Sequence, residues 1–176
     1  AEVKTQVVVI GGGGSGLASA IAAQQAGAKV IVLEKLGLLG GSTNVSEGAL
    51  NAADPERQGK QGIEDSIQKH YDQTMKGGHD IGNPVLVHYL TDHALESVHW
   101  LESIGVQFKP EVGTATGALW QRSHYPATPS GNTYIRSFEK YIAAHKNDIQ
   151  VYTDMNAESL IKDKAGRVIG VVAKDN

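Results

Sequence analysis

Short unbroken apolar runs mark the two ends of the chain, and apolar residues at helical spacing mark its middle. The first run, Val7-Val8-Val9-Ile10, predicts a strand that enters the glycine tract Gly11-Gly12-Gly13-Gly14, with a small-residue helical pattern directly after it. That helix, Ser15 to Ala26, is alanine-rich and meets Gly27, the residue type that favours a helix end. A second strand, Lys29 to Leu33, stops at Glu34, and Lys35 to Ala53 is too glycine-rich and irregular for a regular element. Gly59 to Lys76 reads as a polar helix with Ile63, Ile67, His70 or Tyr71, and Thr74 on one face, closed by Gly77-Gly78. Asn83-Pro84 opens the longest helix, Val85 to Ile104, whose stripe Val87, Leu90, Ala94, Val98 and Leu101 faces a core. Val106-Gln107-Phe108 predicts a short strand stopped by Pro110, and Glu111 to Gly131, with Gly113, Gly117, Pro126 and Pro129, a long connection. Ser130-Gly131-Asn132 caps a helix over Thr133 to Lys146, and Ile149 to Tyr152 forms a third parallel strand. A hairpin closes the series: Ala157 to Lys162, a turn at Asp163 to Gly166, and Arg167 to Ala173. The class is therefore α/β, a parallel sheet with flanking helices and a C-terminal β-hairpin.

The first turn has the spacing G-x-G-x-x-G at Gly11, Gly13 and Gly16. Gly11 permits the sharp strand-to-helix turn, Gly13 leaves room for a pyrophosphate, and Gly16 lets the helix approach the sheet. Free N–H groups of the first helical turn and the positive end of the helix dipole then face the phosphates. Glu34 stands 18 residues after Gly16, close to the spacing of about 20 at which a carboxylate meets an adenosine ribose. An acid there argues against a 2′-phosphate. Four glycines alone also suit a flexible turn; the register of strand, turn, helix, strand and acid is what points to a dinucleotide. The second glycine loop, Gly40-Gly41-Ser42-Thr43, offers backbone N–H groups and two hydroxyls to phosphate or ribityl oxygens. It reads equally as a surface loop capped by Ser and Asn.

Composition narrows the partners. With 176 residues, 40% of them hydrophobic, the chain builds one core with at most a small appendage. A net charge of −3 points to neither nucleic acid nor an anionic membrane. The absence of cysteine excludes disulfides, thiolate metal sites and a dithiol redox centre within the chain. No apolar run approaches the ~18 residues that span a bilayer. His88, His93 and His99 are separated by 5 and 6 residues, whereas a two-histidine metal face wants i and i+4, so no metal site is expected. Trp120, Arg122, His124 and Tyr125 in the long connection suit either a small anion or closure over a cofactor. Packing of Trp120 with a salt-bridged Arg122 is the favoured reading.

Gly11-x-Gly13-x-x-Gly16, Val32-Leu33-Glu34-Lys35, Gly40-Gly41-Ser42-Thr43 and Gly48-Ala49-Leu50-Asn51-Ala52-Ala53 together resemble the N-terminal FAD-binding segment of the fumarate reductase flavoprotein family. That family includes flavocytochrome c fumarate reductases and urocanate reductases. Thr74-Met75-Lys76-Gly77-Gly78, Asn83-Pro84, the Arg122-x-His124 element and Asp163-x-x-Gly166-Arg167-Val168 extend the resemblance. It implies a partial Rossmann-like FAD-binding domain and FAD rather than NAD. The cofactor-binding residues it implies are Gly11, Gly13, Gly14, Ser15, Gly16, Glu34, Lys35, Gly41, Ser42, Thr43, Gly48, Ala49 and Ala157. In this scheme Glu34 holds the adenosine ribose and Ser15 lies near the pyrophosphate. Ser42 and Thr43 follow the diphosphate and ribityl chain, Gly48-Ala49 flanks the isoalloxazine, and backbone groups of Ala157 meet the adenine. Many relatives have Gly-Gly where this chain has Gly48-Ala49.

The resemblance further implies that residues 1–176 are the N-terminal portion of a single FAD-binding domain. The substrate-capping domain and a C-terminal FAD-binding segment would lie outside this chain, together with the catalytic Arg and the groups that clamp the substrate. No catalytic residue is assigned here, and this portion alone is expected to be inactive. The whole protein would pass hydride from reduced FAD to an activated C=C bond of a small unsaturated or dicarboxylic acid, drawing on an electron-donor domain or protein. A non-catalytic dinucleotide-binding module and an NAD-dependent dehydrogenase domain are the alternatives. The resemblance places such proteins in the bacterial cytoplasm or periplasm without choosing between them.

Overall fold

The structure, a computed structural model, describes residues 2–128 and 130–176; Pro129 of the predicted connection lies outside them. In chain order the elements are β1 (Val7–Ile10), α1 (Gly14–Gln25), β2 (Val30–Leu33), α2 (Gly41–Asn44), β3 (Leu50–Asn51), α3 (Pro55–Lys60), α4 (Ile67–Gly77), α5 (Pro84–Ser103), β4 (Ser123–His124), α6 (Asn132–Ala144), β5 (Ile149–Tyr152), β6 (Met155–Lys162) and β7 (Val168–Asp175). They divide into two compact units, Ala1–Ser46 with Tyr134–Asn176, and Glu47–Thr133.

The first unit is built on a parallel sheet in the order β1-β2-β5, with Val7 opposite Val30 and Val30 opposite Ile149. β2 is the middle strand and all four of its residues are buried, which explains its unbroken Val-Ile-Val-Leu sequence. β1 alternates instead, leaving Val8 and Ile10 exposed. From α1, Leu17, Ala20 and Ile21 are fully buried in this unit. Removing Leu17 and Ile21 from water contributes about 2 kcal/mol each. α6 buries Ile135, Phe138 and Ile142. β6 and β7 form the antiparallel hairpin, with Ala157 opposite Ala173.

In the second unit the long helix α5 starts as expected: Asn83 accepts from the N–H groups of Val85 and Leu86, and Pro84 occupies the first turn. Its buried stripe is Thr91, Ala94, Val98 and Leu101, whereas Leu90 is exposed. Thr91 takes an apolar slot because its hydroxyl donates to the carbonyls of Val87 and His88. Ala52, Ala94 and Val98 form the core of this unit, with Leu50, Leu95 and Phe108 against it.

Three local expectations are corrected. The helix expected over Gly59 to Lys76 is two helices. Asp54 caps α3 through the N–H groups of Glu56 and Arg57, Gly62 turns the chain at φ +69°, and Ser66 caps α4 through Lys69 N–H. The loop after Glu34 contains one helical turn, α2, and the two-residue strand β3. Val106 to Phe108 forms no strand; Phe108 makes a single bridge to Pro126, and the connection beyond it contributes β4, which pairs antiparallel with β3. No helix among the described residues is long and apolar enough to cross a membrane.

Candidate cofactor site

The turn between β1 and α1 needs its glycines for separate reasons. Gly11 has φ +103°, and its N–H donates to Leu33 O at 2.8 Å. A Cβ on Gly16 would overlap Gly11 O and press on Val9. Over Gly13 the space is open: a Cβ there would meet nothing nearer than Gly40 O at 3.9 Å. Gly13 is the N-cap of α1 and supplies no side-chain acceptor, and the first turn contains no acidic residue. The helix therefore presents its N–H groups and about half a positive charge toward that space.

The second glycine loop forms the opposite wall. Gly40 N–H donates to Gly12 O at 2.8 Å, and Gly13 and Gly40 are bridge partners. A Cβ on Gly41 would lie 3.6 Å from Gly13 Cα, and one on Gly14 would sit 2.5 Å from Thr43 Oγ1. Ser42 is exposed and Thr43 half-buried.

Glu34 closes the mouth. Its carboxylate is buried, with Oε2 accepting from Gly12 N–H at 2.7 Å and Oε1 from Leu36 N–H at 2.8 Å. Each oxygen keeps acceptor capacity for a hydroxyl. The backbone beneath is fixed on both sides, since Glu34 N–H donates to Tyr152 O and Glu34 O accepts from Met155 N–H. β6 leaves from that point and places half-buried Ala157 two residues along, beside a register shift in the hairpin. Lys35 is exposed and its carbonyl accepts from Asn176, while Ser15 is exposed at the start of α1. The structure thus brings together Gly11, Gly13, Gly14, Ser15, Gly16, Glu34, Gly41, Ser42 and Thr43 in one unit, with Lys35 and Ala157 on the flanking segments. Gly48 and Ala49 belong to the second unit. There Gly48 is buried at φ +83°, where a Cβ would lie 2.7 to 3.0 Å from the backbone of Ser130 and Gly131.

Sequence reasoning passed over Gly12, and it included Gly40 in the second loop without its bond to Gly12. Gly12 donates to Glu34, and a Cβ on it would overlap Leu39. The quartet of glycines held that signal, but its second member counted only as a spacer.

The second unit also contains a buried polar network. Asp54 accepts from Arg57 Nη1 and from His124 Nε2, both at 3.0 Å. Asp65 takes a two-point contact from Arg122, at 2.8 Å from Nε and 2.6 Å from Nη2. Gln58 joins the two, accepting from Asp54 N–H and donating to Asp65 Oδ2. Burial works against the charge of Asp54, but the Arg57 backbone N–H, His124 and the Arg57 guanidinium together bring it down to about 2. Asp65 is also lowered: burial opposes the charge, and Arg122 with Gln58 overcomes it. His70 is lowered too, which for a base favours the neutral form. Burial, then the nearby charge of Arg122, lowers it to about 4, against the opposing pull of Asp65.

Trp120 donates to Glu64 O and lies under the Lys69 ammonium, so Arg122 pairs with Asp65 and Trp120 with Lys69. Of the α5 histidines, His88 stacks on Tyr71, His93 bonds Glu96 and His99 bonds Glu102.

The profile of the family described as FAD binding domain matches residues 6–176. The fumarate reductase (cytochrome) of Shewanella frigidimarina is 36% identical over 168 residues, a stretch that covers 96% of this chain and 29% of the relative. The urocanate reductase of Eggerthella lenta is also 36% identical, over 95% of this chain and 28% of its own length. Among solved structures, the open conformation of a flavocytochrome c3 fumarate reductase superposes with a TM-score of 0.88 at 31% identity, covering 97% of this chain and 30% of that one. The chain spans less than a third of these relatives. It belongs to the FAD binding domain family, among the flavoproteins related to fumarate and urocanate reductases.

Proposed function

We propose that the whole protein is an FAD-dependent oxidoreductase that reduces the activated C=C bond of a small unsaturated acid. In this reading residues 1–176 form the N-terminal portion of one FAD-binding domain, with the substrate-capping domain and a C-terminal FAD-binding segment contributed by other parts of the protein. The observation that supports it best is the pair of interlocked glycine loops, with open space over Gly13 and the Glu34 carboxylate fixed at its mouth. Filling any of Gly12, Gly14 or Gly16 with a Cβ closes or distorts that cradle, whereas Gly13 faces free volume.

Each group in the cradle has a task that its geometry suits. Glu34 accepts from the ribose hydroxyls. The N–H groups at the start of α1, with Gly14, Ser15 and Gly16, hold the pyrophosphate. Gly41, Ser42 and Thr43 donate along the diphosphate and ribityl chain, with Lys35 beside them and the Ala157 backbone at the adenine. By the resemblance, Gly48 and Ala49, which belong to the second unit, are the residues assigned to the isoalloxazine. When bound, FAD supplies the hydride chemistry; the protein binds it, orients it and tunes its electrostatics. The proton donor and the groups that hold the substrate carboxylate belong to the rest of the protein, as does contact with an electron donor.

The test is isolation of the whole protein. Bound yellow FAD, reducible by an added donor and reoxidised by fumarate, urocanate or a related unsaturated acid, is the expected result. A colourless protein that binds NAD in preference to FAD would overturn it.

A further inference from the structure

The Arg122-x-His124 element has no task in the cradle just described, yet Arg122, Ser123 and His124 are among the most buried polar residues of the chain. They lie against the segment Gly48 to Asp54 and touch it at successive points. Ala52 N–H donates to Arg122 O at 3.1 Å, Ser123 Oγ donates to Asn51 Oδ1 at 2.6 Å, and His124 Nδ1 lies 3.3 Å from Leu50 O. Farther along, Tyr125 donates to Glu47, and Gly48 abuts the backbone of Ser130 and Gly131. The β3–β4 ladder between these segments has two residues per strand, too short to fix a backbone by itself.

His124 is fully buried and faces oxygen acceptors only. Nε2 meets the Asp54 carboxylate, and Nδ1 meets the carbonyls of Leu50 and Arg122. A carbonyl can only accept, and Asp54 already receives from Glu56 N–H, Arg57 N–H and Arg57 Nη1 as a carboxylate. Nε2 therefore donates to Asp54, and Nδ1 lies within reach of the Leu50 and Arg122 carbonyls. The charged groups around the ring are Asp54 and Arg57 of the α3 region, with Arg122 of its own segment paired to Asp65 and Glu102 of α5 paired to Arg57. Phe108 covers the ring edge-on at 6.1 Å.

We infer that His124 is a positioning residue, clamped by Asp54, that fixes the backbone of Gly48 to Asn51 through the Leu50 carbonyl. The inference rests on the proposed function, because Gly48 and Ala49 matter for the flavin only if they flank it. The Arg-x-His element then serves the reaction through the backbone it holds.

The experiment compares wild type with H124F, H124Q and H124K in the whole protein. Three readouts are taken: amide exchange at Leu50 to Ala52, flavin reduction potential, and thermal midpoint. H124F is expected to speed exchange at Leu50 to Ala52 while exchange at Gly12 to Ser15 stays unchanged, to weaken FAD binding about tenfold, and to shift the potential. If H124F fails to fold, H124Q, which keeps one donor, is expected to show the same changes at smaller size. H124K supplies Asp54 with donors from a single nitrogen, which cannot also stand where the imidazole Nδ1 meets Leu50 O, so it restores the thermal midpoint and not the potential. Unchanged exchange and potential in H124Q, or full restoration of all three readouts by H124K, overturns the inference. A wild type that takes up no flavin defeats the proposed function, and the exchange readout then decides by itself whether His124 holds the strand.

Discussion

Acidification gives a test that one buried histidine dominates. His70 is 5% exposed, its Nδ1 has no hydrogen-bond partner among the described residues, and burial together with Arg122 lowers it from 6.5 to about 4. A folded-state value below the unfolded one means that the unfolded chain binds the extra proton first. Stability is therefore full above about pH 6.5 and is lost as the pH falls toward 4. At 1.36 kcal/mol per unit, the loss reaches about 2.5 kcal/mol by pH 4.5 and is limited to about 3.5 kcal/mol below pH 4. Urea unfolding of wild type and H70Q at intervals from pH 7.5 to 4.5 isolates the contribution, because glutamine does not titrate. Wild-type stability relative to the variant should fall by that amount across the window. A difference that stays flat, or a His70 ring resonance that titrates near its ordinary value, would refute the reasoning. Asp54 acts in the same direction at lower pH: its contribution is present above about pH 4 and is lost as the pH falls toward 2, so the two transitions separate on the pH axis.

Three substitutions probe other parts of the fold. G16A should destabilise the protein by about 2 to 3 kcal/mol and abolish FAD retention, because the new methyl meets the Gly11 carbonyl; thermal melts and flavin absorbance read both. E34Q should lower FAD affinity by at least tenfold, since its amide group faces either Gly12 N–H or Leu36 N–H as a second donor; equilibrium titration with FAD measures it. R122M should cost about 3 to 5 kcal/mol by leaving Asp65 buried without its partner, and the double variant R122M/D65L should recover part of that loss; denaturant midpoints decide.

Elements governed by local signals were legible in the sequence. The three parallel strands, α1, α5 and the hairpin follow from apolar runs, a proline at a first turn and glycines at ends, all within a few residues of what they specify. The single helix over Gly59 to Lys76 failed because Asp54 and Ser66 act as caps and Gly62 turns the chain between them, and the apolar spacing alone did not register those stops. Gly11, Gly13 and Gly16 were legible from the motif. Gly12 was not, nor was the bond that Gly40 makes to it, because that requirement comes from two loops approaching each other across 28 positions. The Asp54, Gln58, Asp65, Arg122 and His124 network joins residues 57 to 70 positions apart, where no pattern along the chain announces a pairing.

The bond from Gly40 to Gly12 also bears on engineering. The turn between β1 and α1 transplanted by itself onto another scaffold would arrive with one side missing, because its second side comes from a loop beyond the next strand. Any graft has to move Val7 to Thr43 as a block. A change in Gly40 that broke its bond to Gly12 would loosen the partner loop while leaving the G-x-G-x-x-G motif intact to any pattern search.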